Sequence, residues 1–152
     1  MQTQTEHPAK RTRAQVLRDS VEIRLAVDEA GPLIAELLKA NGIVLGHADW
    51  SKVFPNWLIA TVDDQVVGCV QVLVAKPAGW LEFLYVDPKV SFKIRAIAIR
   101  KLLIQGATTL RAYGAQYVGG VTDVKNRRFR NVLENVGFAA VGECTLMCKR
   151  IA

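Results

Sequence analysis

Val21, Ile23, Leu25 and Val27 alternate with Glu22, Arg24 and Ala26, which is the period of a half-buried strand. Asp28 follows in the position of a helix N-cap, with Glu29 favourable in the first turn. Leu33, Ile34, Leu37 and Leu38 then share one helical face, and Asn41-Gly42 predicts the end of that helix. Residues 43–55 carry His47, Trp50 and Pro55 without a clear period. The apolar run Trp57–Val62 predicts a strand, 63–65 a turn, and 66–74 a second strand, so the pair reads as an antiparallel hairpin. A turn at Lys76-Pro77-Ala78-Gly79 leads to a strand over 80–86, closed by Asp87-Pro88.

The period then changes to that of a long helix, starting at Ser91 or Lys93 and running to Tyr113. Its buried stripe is Ile99, Leu102, Leu103, Gly106 and Leu110, its charge comes from Lys93, Arg95, Arg100, Lys101 and Arg111, and Gly114 ends it. Residues 116–122 read as a strand with Gly119-Gly120 inside it. Asp123 or Asn126 starts a last helix, whose stripe is Phe129, Val132, Leu133 and Val136 and whose stop is Gly137. Two final strands, at 138–142 and 144–150, form a hairpin around Gly142. The order is β-α-β-β-β-α-β-α-β-β, a mixed sheet in the α/β (α+β) class. Residues 1–18 read as a basic, flexible arm with one helical turn around 14–18, and 19–152 as a single domain.

Composition narrows the chemistry. Twenty Lys+Arg against fourteen Asp+Glu give a net charge of +6, which favours anionic partners such as nucleic acid or phosphorylated cofactors. No apolar stretch approaches the ~20 residues of a membrane-spanning helix, and the polar start of the chain predicts no secretory signal. Three cysteines without a CxxC pair fit neither a disulfide framework nor a structural zinc site, and suit a reducing cytoplasm. A G-x-S-x-G elbow and a Walker-type phosphate loop are both missing, and the two histidines, His7 and His47, lie near no evident nucleophile.

Two segments carry a resemblance. Leu84-Tyr85-Val86-Asp87-Pro88 ends a strand and leads into a long helix with Leu102-Leu103 in its core. Asn126 then opens a helix that closes on Gly137-Phe138. In this order, over about residues 21–150, the chain resembles the GCN5-related N-acetyltransferase (GNAT) family. The resemblance implies that family's fold and direct transfer of an acetyl group from acetyl-CoA to an amine: a small molecule, a peptide N-terminus or a lysine.

It also implies a site. The backbone around Leu84, Tyr85 and Val86 would hold the pantetheine arm of acetyl-CoA. The pyrophosphate loop would span 91–98, with Lys93, Arg95, Ala96 and Ala98 as the nearest fit to the family pattern, whose two small positions are here alanine. Asn126 would contact the carrier and cap the last helix. Glu82 would be the general base, on the same face as Leu84 and Val86 by strand alternation. The position of the family's usual tyrosine acid holds Leu133, leaving Tyr85, Tyr113 or Tyr117 as substitutes. His47, Asp49 and Trp50 would border the amine acceptor. The departures at the loop and at Leu133 support a second reading, a GNAT-like binding or structural module without catalysis. The basic run Lys125, Arg127, Arg128, Arg130 and the basic arm would then meet nucleic acid or a macromolecular assembly, and an exposed C-terminal strand would support a homodimer.

Overall fold

Thr12 and Gln15 cap each other at the start of the first helix. The Gln15 N–H donates to Thr12 Oγ1 at 3.3 Å and the Thr12 N–H to Gln15 Oε1 at 2.9 Å. The resulting helix α1 (Arg13–Asp19) is longer than the single turn expected at 14–18. Lys101 fixes it to the body, its Nζ donating to Arg18 O at 2.7 Å and Val21 O at 2.6 Å. The computed structural model describes residues 11–43, 56–122 and 125–142.

Five strands form one sheet among the described residues, in the spatial order β1-β2-β3-β4-β5. They are β1 (Glu22–Leu25), β2 (Trp57–Val62), β3 (Gln65–Ala75), β4 (Ala78–Val86) and β5 (Tyr117–Gly119). The first four pair antiparallel, and β5 pairs parallel to β4. Asp63 and Asp64 make the β2–β3 connection a two-residue turn with both φ values positive (48° and 61°), which matches the right-handed strand twist. The helices are α2 (Gly31–Ala40), α3 (Phe92–Ala112) and α4 (Arg127–Asn135).

The sheet is covered on both faces. One face packs Leu58, Val70, Val72, Leu81 and Val86 against Ala98, Leu102, Leu103 and Leu110 of α3. The other packs Trp57, Ile59 and Cys69 against Ile34, Leu37 and Leu38 of α2. This explains why Trp57–Ala60 of β2 is a continuous apolar run rather than an alternating one.

Several expectations change. The N-cap of α2 is Ala30, not Asp28, because Asp28–Ala30 forms a separate 3-10 turn and Pro32, which has no N–H to leave unbonded, sets the helix start. Leu33 is 53% exposed and lies off the buried face, which is Gly31, Ile34, Leu37 and Leu38. Ala98 replaces Ile99 in the buried stripe of α3. Strand β5 ends at Gly119 instead of reaching 122. Residues 138–142 form no strand, and the second C-terminal strand at 144–150 lies outside the described residues, as do residues 1–10 of the basic arm.

Candidate functional site

Strand β4 is the centre of the candidate site, and its two ends behave differently. At its start, Ala78, Gly79 and Trp80 pair with Tyr117, Val118 and Gly119 of β5. The strands then part. Gly120 makes the last close approach, where an added Cβ would stand 3.0 Å from the Leu81 carbonyl oxygen. Consecutive glycines weaken the strand at this point, since neither has a side chain to pack. From Glu82 onward no strand pairs with the outer edge of β4 among the described residues. Such an edge offers backbone N–H and C=O groups to an extended, amide-bearing molecule.

The same stretch is bulged. Cys69 faces Tyr85 and Gln71 faces Glu82, so Val70 alone opposes both Phe83 and Leu84. Phe83 takes the left-handed φ of 50°. The extra residue reverses the alternation of faces. Leu81, Leu84 and Val86 all meet the α3 core, whereas Phe83 and Tyr85 meet the α2 core, with Phe83 stacked on Trp57 at 6.0 Å. Glu82, next to Leu81, therefore lies on the α2 face, opposite Leu84 and Val86 and not beside them as simple alternation predicts. Its side chain is exposed.

Helix α3 joins β4 to β5 as a crossover between parallel strands. Its N-terminus must therefore stand at the carboxyl ends of both strands, where they part. Ser91 caps it, with Oγ accepting the Ile94 N–H at 3.3 Å and the carbonyl accepting the Arg95 N–H at 3.0 Å. The amides of Phe92 and Lys93 precede the first intrahelical donors and stay open at the positive end of the helix dipole. Lys93 is exposed, and Arg95 is half-buried with its Nε enclosed and without a hydrogen-bond partner.

The expected phosphate loop at 91–98 is thus already helix. Alanines where the family pattern has glycines favour helical backbone, and the turn before the helix is closed by Lys89 N–H donating to Asp87 Oδ1 at 2.8 Å. Ala96 is exposed on the first turns. Ala98 is 0% exposed and packs under the sheet, so it serves the core and cannot line a phosphate site.

Asn126 caps α4, its side chain accepting the Phe129 N–H at 3.2 Å. Leu133 is half-buried against the α3 core, and Gly137 ends the helix with φ 95°. Arg127, Arg130, Asn131 and Glu134 line a shallow cleft on its outer side. Of the three tyrosines named as substitute acids, Tyr113 caps the far end of α3, about 30 Å from its start at 1.5 Å per residue. Tyr117 opens β5, again at the far end. Tyr85 alone flanks the bulge. His47, Asp49 and Trp50 lie outside the described residues, as do His7, Cys144 and Cys148. Cys69 is 0% exposed, and burial pushes its thiol up to about 12 against a smaller opposing pull from the Tyr85 backbone N–H. No described helix is long and apolar enough to cross a membrane.

No protein-family model matches the chain, and no curated protein matches it in sequence. Solved structures do share its fold. An aminoglycoside acetyltransferase from an uncultured soil metagenomic sample superposes with a TM-score of 0.70 at 13% identity, over 88% of this chain and 98% of that one. The aminoglycoside acetyltransferase AAC(6')-Iy, solved with a CoA-linked bisubstrate analogue, gives 0.67 at 19% identity, over 86% and 99%. N-acetylglutamate synthase from Neisseria gonorrhoeae, solved with coenzyme A and L-arginine, gives 0.62 at 20% identity, over 73% of this chain but only 26% of that enzyme. At such identities the likeness establishes the fold, a mixed, mostly antiparallel sheet flanked by helices, as the sequence resemblance implied; the parallel β4–β5 pair is a finding of the structure.

Proposed function

We propose that the chain is a GNAT-type enzyme that transfers an acetyl group directly from acetyl-CoA to an amine. One observation carries this reading: β4 parts from β5 after Trp80 and bulges at Phe83–Leu84, next to the open N-terminus of α3. Acetyl-CoA supplies the activated acyl thioester. Three features fit such a molecule. The unpaired β4 edge from Leu84 to Val86 complements the amides of the pantetheine arm. The open amides of Phe92 and Lys93 suit a pyrophosphate, with the Lys93 ammonium and the unpartnered Arg95 guanidinium beside them. Asn126 and the basic start of α4 add further polar contacts on the carrier's outer side.

Glu82 takes the proton that an ammonium acceptor must lose before it attacks. It stands one residue before the bulge, on the α2 face, while a carrier held by the β4 backbone edge would lie along that edge. The amine therefore approaches from the α2 side. Tyr85, on that same face, is placed to return a proton to the departing thiolate. Among the described residues the one cysteine, Cys69, is enclosed and held as the poorly nucleophilic thiol, which fits transfer without an acetyl-cysteine intermediate there.

Thermal unfolding with and without acetyl-CoA tests the reading, with ATP as control. At about 100 times its dissociation constant the ligand stabilises by about 2.7 kcal/mol, or roughly 5–10 °C for this chain length. Glu82→Gln should then lower kcat on a responsive amine about 10²- to 10⁴-fold and leave the acetyl-CoA shift intact. No shift at saturating acetyl-CoA would overturn the enzyme reading and leave a binding module with this fold.

A further inference from the structure

The bulge creates a problem that the chain solves with one side chain. Opposite Val70, two β4 residues compete for the backbone partners of one, so Phe83 and Leu84 are left without register partners in the ladder. Phe83 also holds a backbone conformation that a residue with a Cβ rarely adopts. Both conditions persist only if the surroundings enforce them. Cys69 sits across from the bulge, with no exposed surface, and its Sγ lies 3.7 Å from the Phe83 carbonyl oxygen in donor geometry. A thiol is suited to this place because it donates to a peptide carbonyl, yet packs as a small apolar residue with Trp57 and Ile59 in the α2 core.

We infer that Cys69 is a positioning residue, whose thiol bridges β3 to the Phe83 carbonyl of β4 and fixes the bulge that presents the β4 edge to the acyl carrier. The clause about the carrier rests on the function proposed above; the bridge itself does not. A hydroxyl retains the donor and acceptor, whereas valine fills the space with neither. Cys69→Ser is therefore expected to keep the bulge and Cys69→Val to release it.

Two measurements separate these claims. The first is amide hydrogen exchange across 83–86 in the unliganded protein. Cys69→Val should raise exchange there about tenfold or more while the rest of β3 and β4 stays protected, and Cys69→Ser should stay near the wild type. Exchange at 83–86 that is unchanged in Cys69→Val, or that rises equally through the whole sheet, would overturn the bridge. If Cys69→Val does not fold, Cys69→Ala, which cannot overfill the site, takes its place. The second measurement is acetyl-CoA affinity. Cys69→Val should weaken it about tenfold, corresponding to about 1.4 kcal/mol, with recovery in Cys69→Ser. Equal affinity in Cys69→Val and wild type would overturn the positioning role. A wild type that does not bind acetyl-CoA would instead overturn the proposed function, and the exchange measurement would still decide the bridge.

Discussion

Gly106→Ala tests how closely α3 is seated on β4, because two known effects oppose each other at that residue. In a helix interior, alanine is favoured over glycine by about 0.5–1 kcal/mol through backbone entropy. Against this, a Cβ on Gly106 would lie 2.7 Å from Leu81 Cδ2 and 3.3 Å from Cδ1. Leu81 is 7% exposed and belongs to the core, so its methyls cannot swing aside freely. Overpacking of this kind costs about 1–3 kcal/mol. The steric effect should win, giving a net loss of about 1 kcal/mol and a Tm lower by roughly 2–4 °C. The decisive measurement is a double-mutant cycle by urea unfolding with Leu81→Val, which removes the Cδ methyls. In that background Gly106→Ala should stabilise by about 0.5–1 kcal/mol, since only the entropic gain remains. The same cost in both backgrounds would refute the packing argument.

Three further outcomes are expected. Burial raises the Cys69 thiol from 9.0 to about 12, so from pH 9 to 12 the native state holds a proton that the unfolded chain has released. Stability from this source is complete below pH 9 and falls with rising pH; by pH 10.5 the wild type should lose about 2 kcal/mol more than Cys69→Val, and parallel curves would contradict it. Lys101→Met keeps the aliphatic stem but removes both bonds to Arg18 O and Val21 O, so it should cost about 1–3 kcal/mol and speed tryptic cleavage within α1. Asn126→Ala removes the α4 cap and should cost about 1 kcal/mol in urea, with Asn126→Asp recovering most of it.

Those parts of the fold that depend on neighbouring residues alone were legible in the sequence. Strand β2 falls at Trp57–Val62 as its largely apolar run predicts, because both faces are covered and its one polar residue, Thr61, is buried with the rest. Helix α3 begins and ends within a residue or two of expectation because Ser91 caps one end and Gly114 turns the chain at the other. Asn126 and Gly137 delimit α4 in the same way. The Thr12–Gln15 box and Pro32 were equally local signals, and they would have extended α1 and moved the start of α2. Strand β5 is different. Its length is set by how far β4 stays beside it, and the apolar pattern of 116–122 carries no record of where a parallel neighbour departs. Nor does the period show which helix covers which strand, so Ala98 looked like a phosphate-loop residue when its small size in fact serves the contact with the sheet.

The candidate base shows the limit most clearly. Reading Glu82, Leu84 and Val86 as one face assumes a strict period of two, and one inserted residue reverses every side chain beyond it. Nothing in Leu81-Glu82-Phe83-Leu84 marks the insertion, since the residue that takes the left-handed conformation is phenylalanine rather than glycine. The mark lies on the neighbouring strand, in a buried cysteine whose sulfur meets the displaced carbonyl. The reversal changes the mechanism that the same residue can serve. A carboxylate on the face of Leu84 and Val86 would have pointed at α3, into the core, where an ionised group is costly to bury. On the α2 face it is exposed and flanks the strand edge from the side, so under the proposed function a carrier held along that edge and an amine arriving from the α2 side would meet at the bulge without competing for the same space.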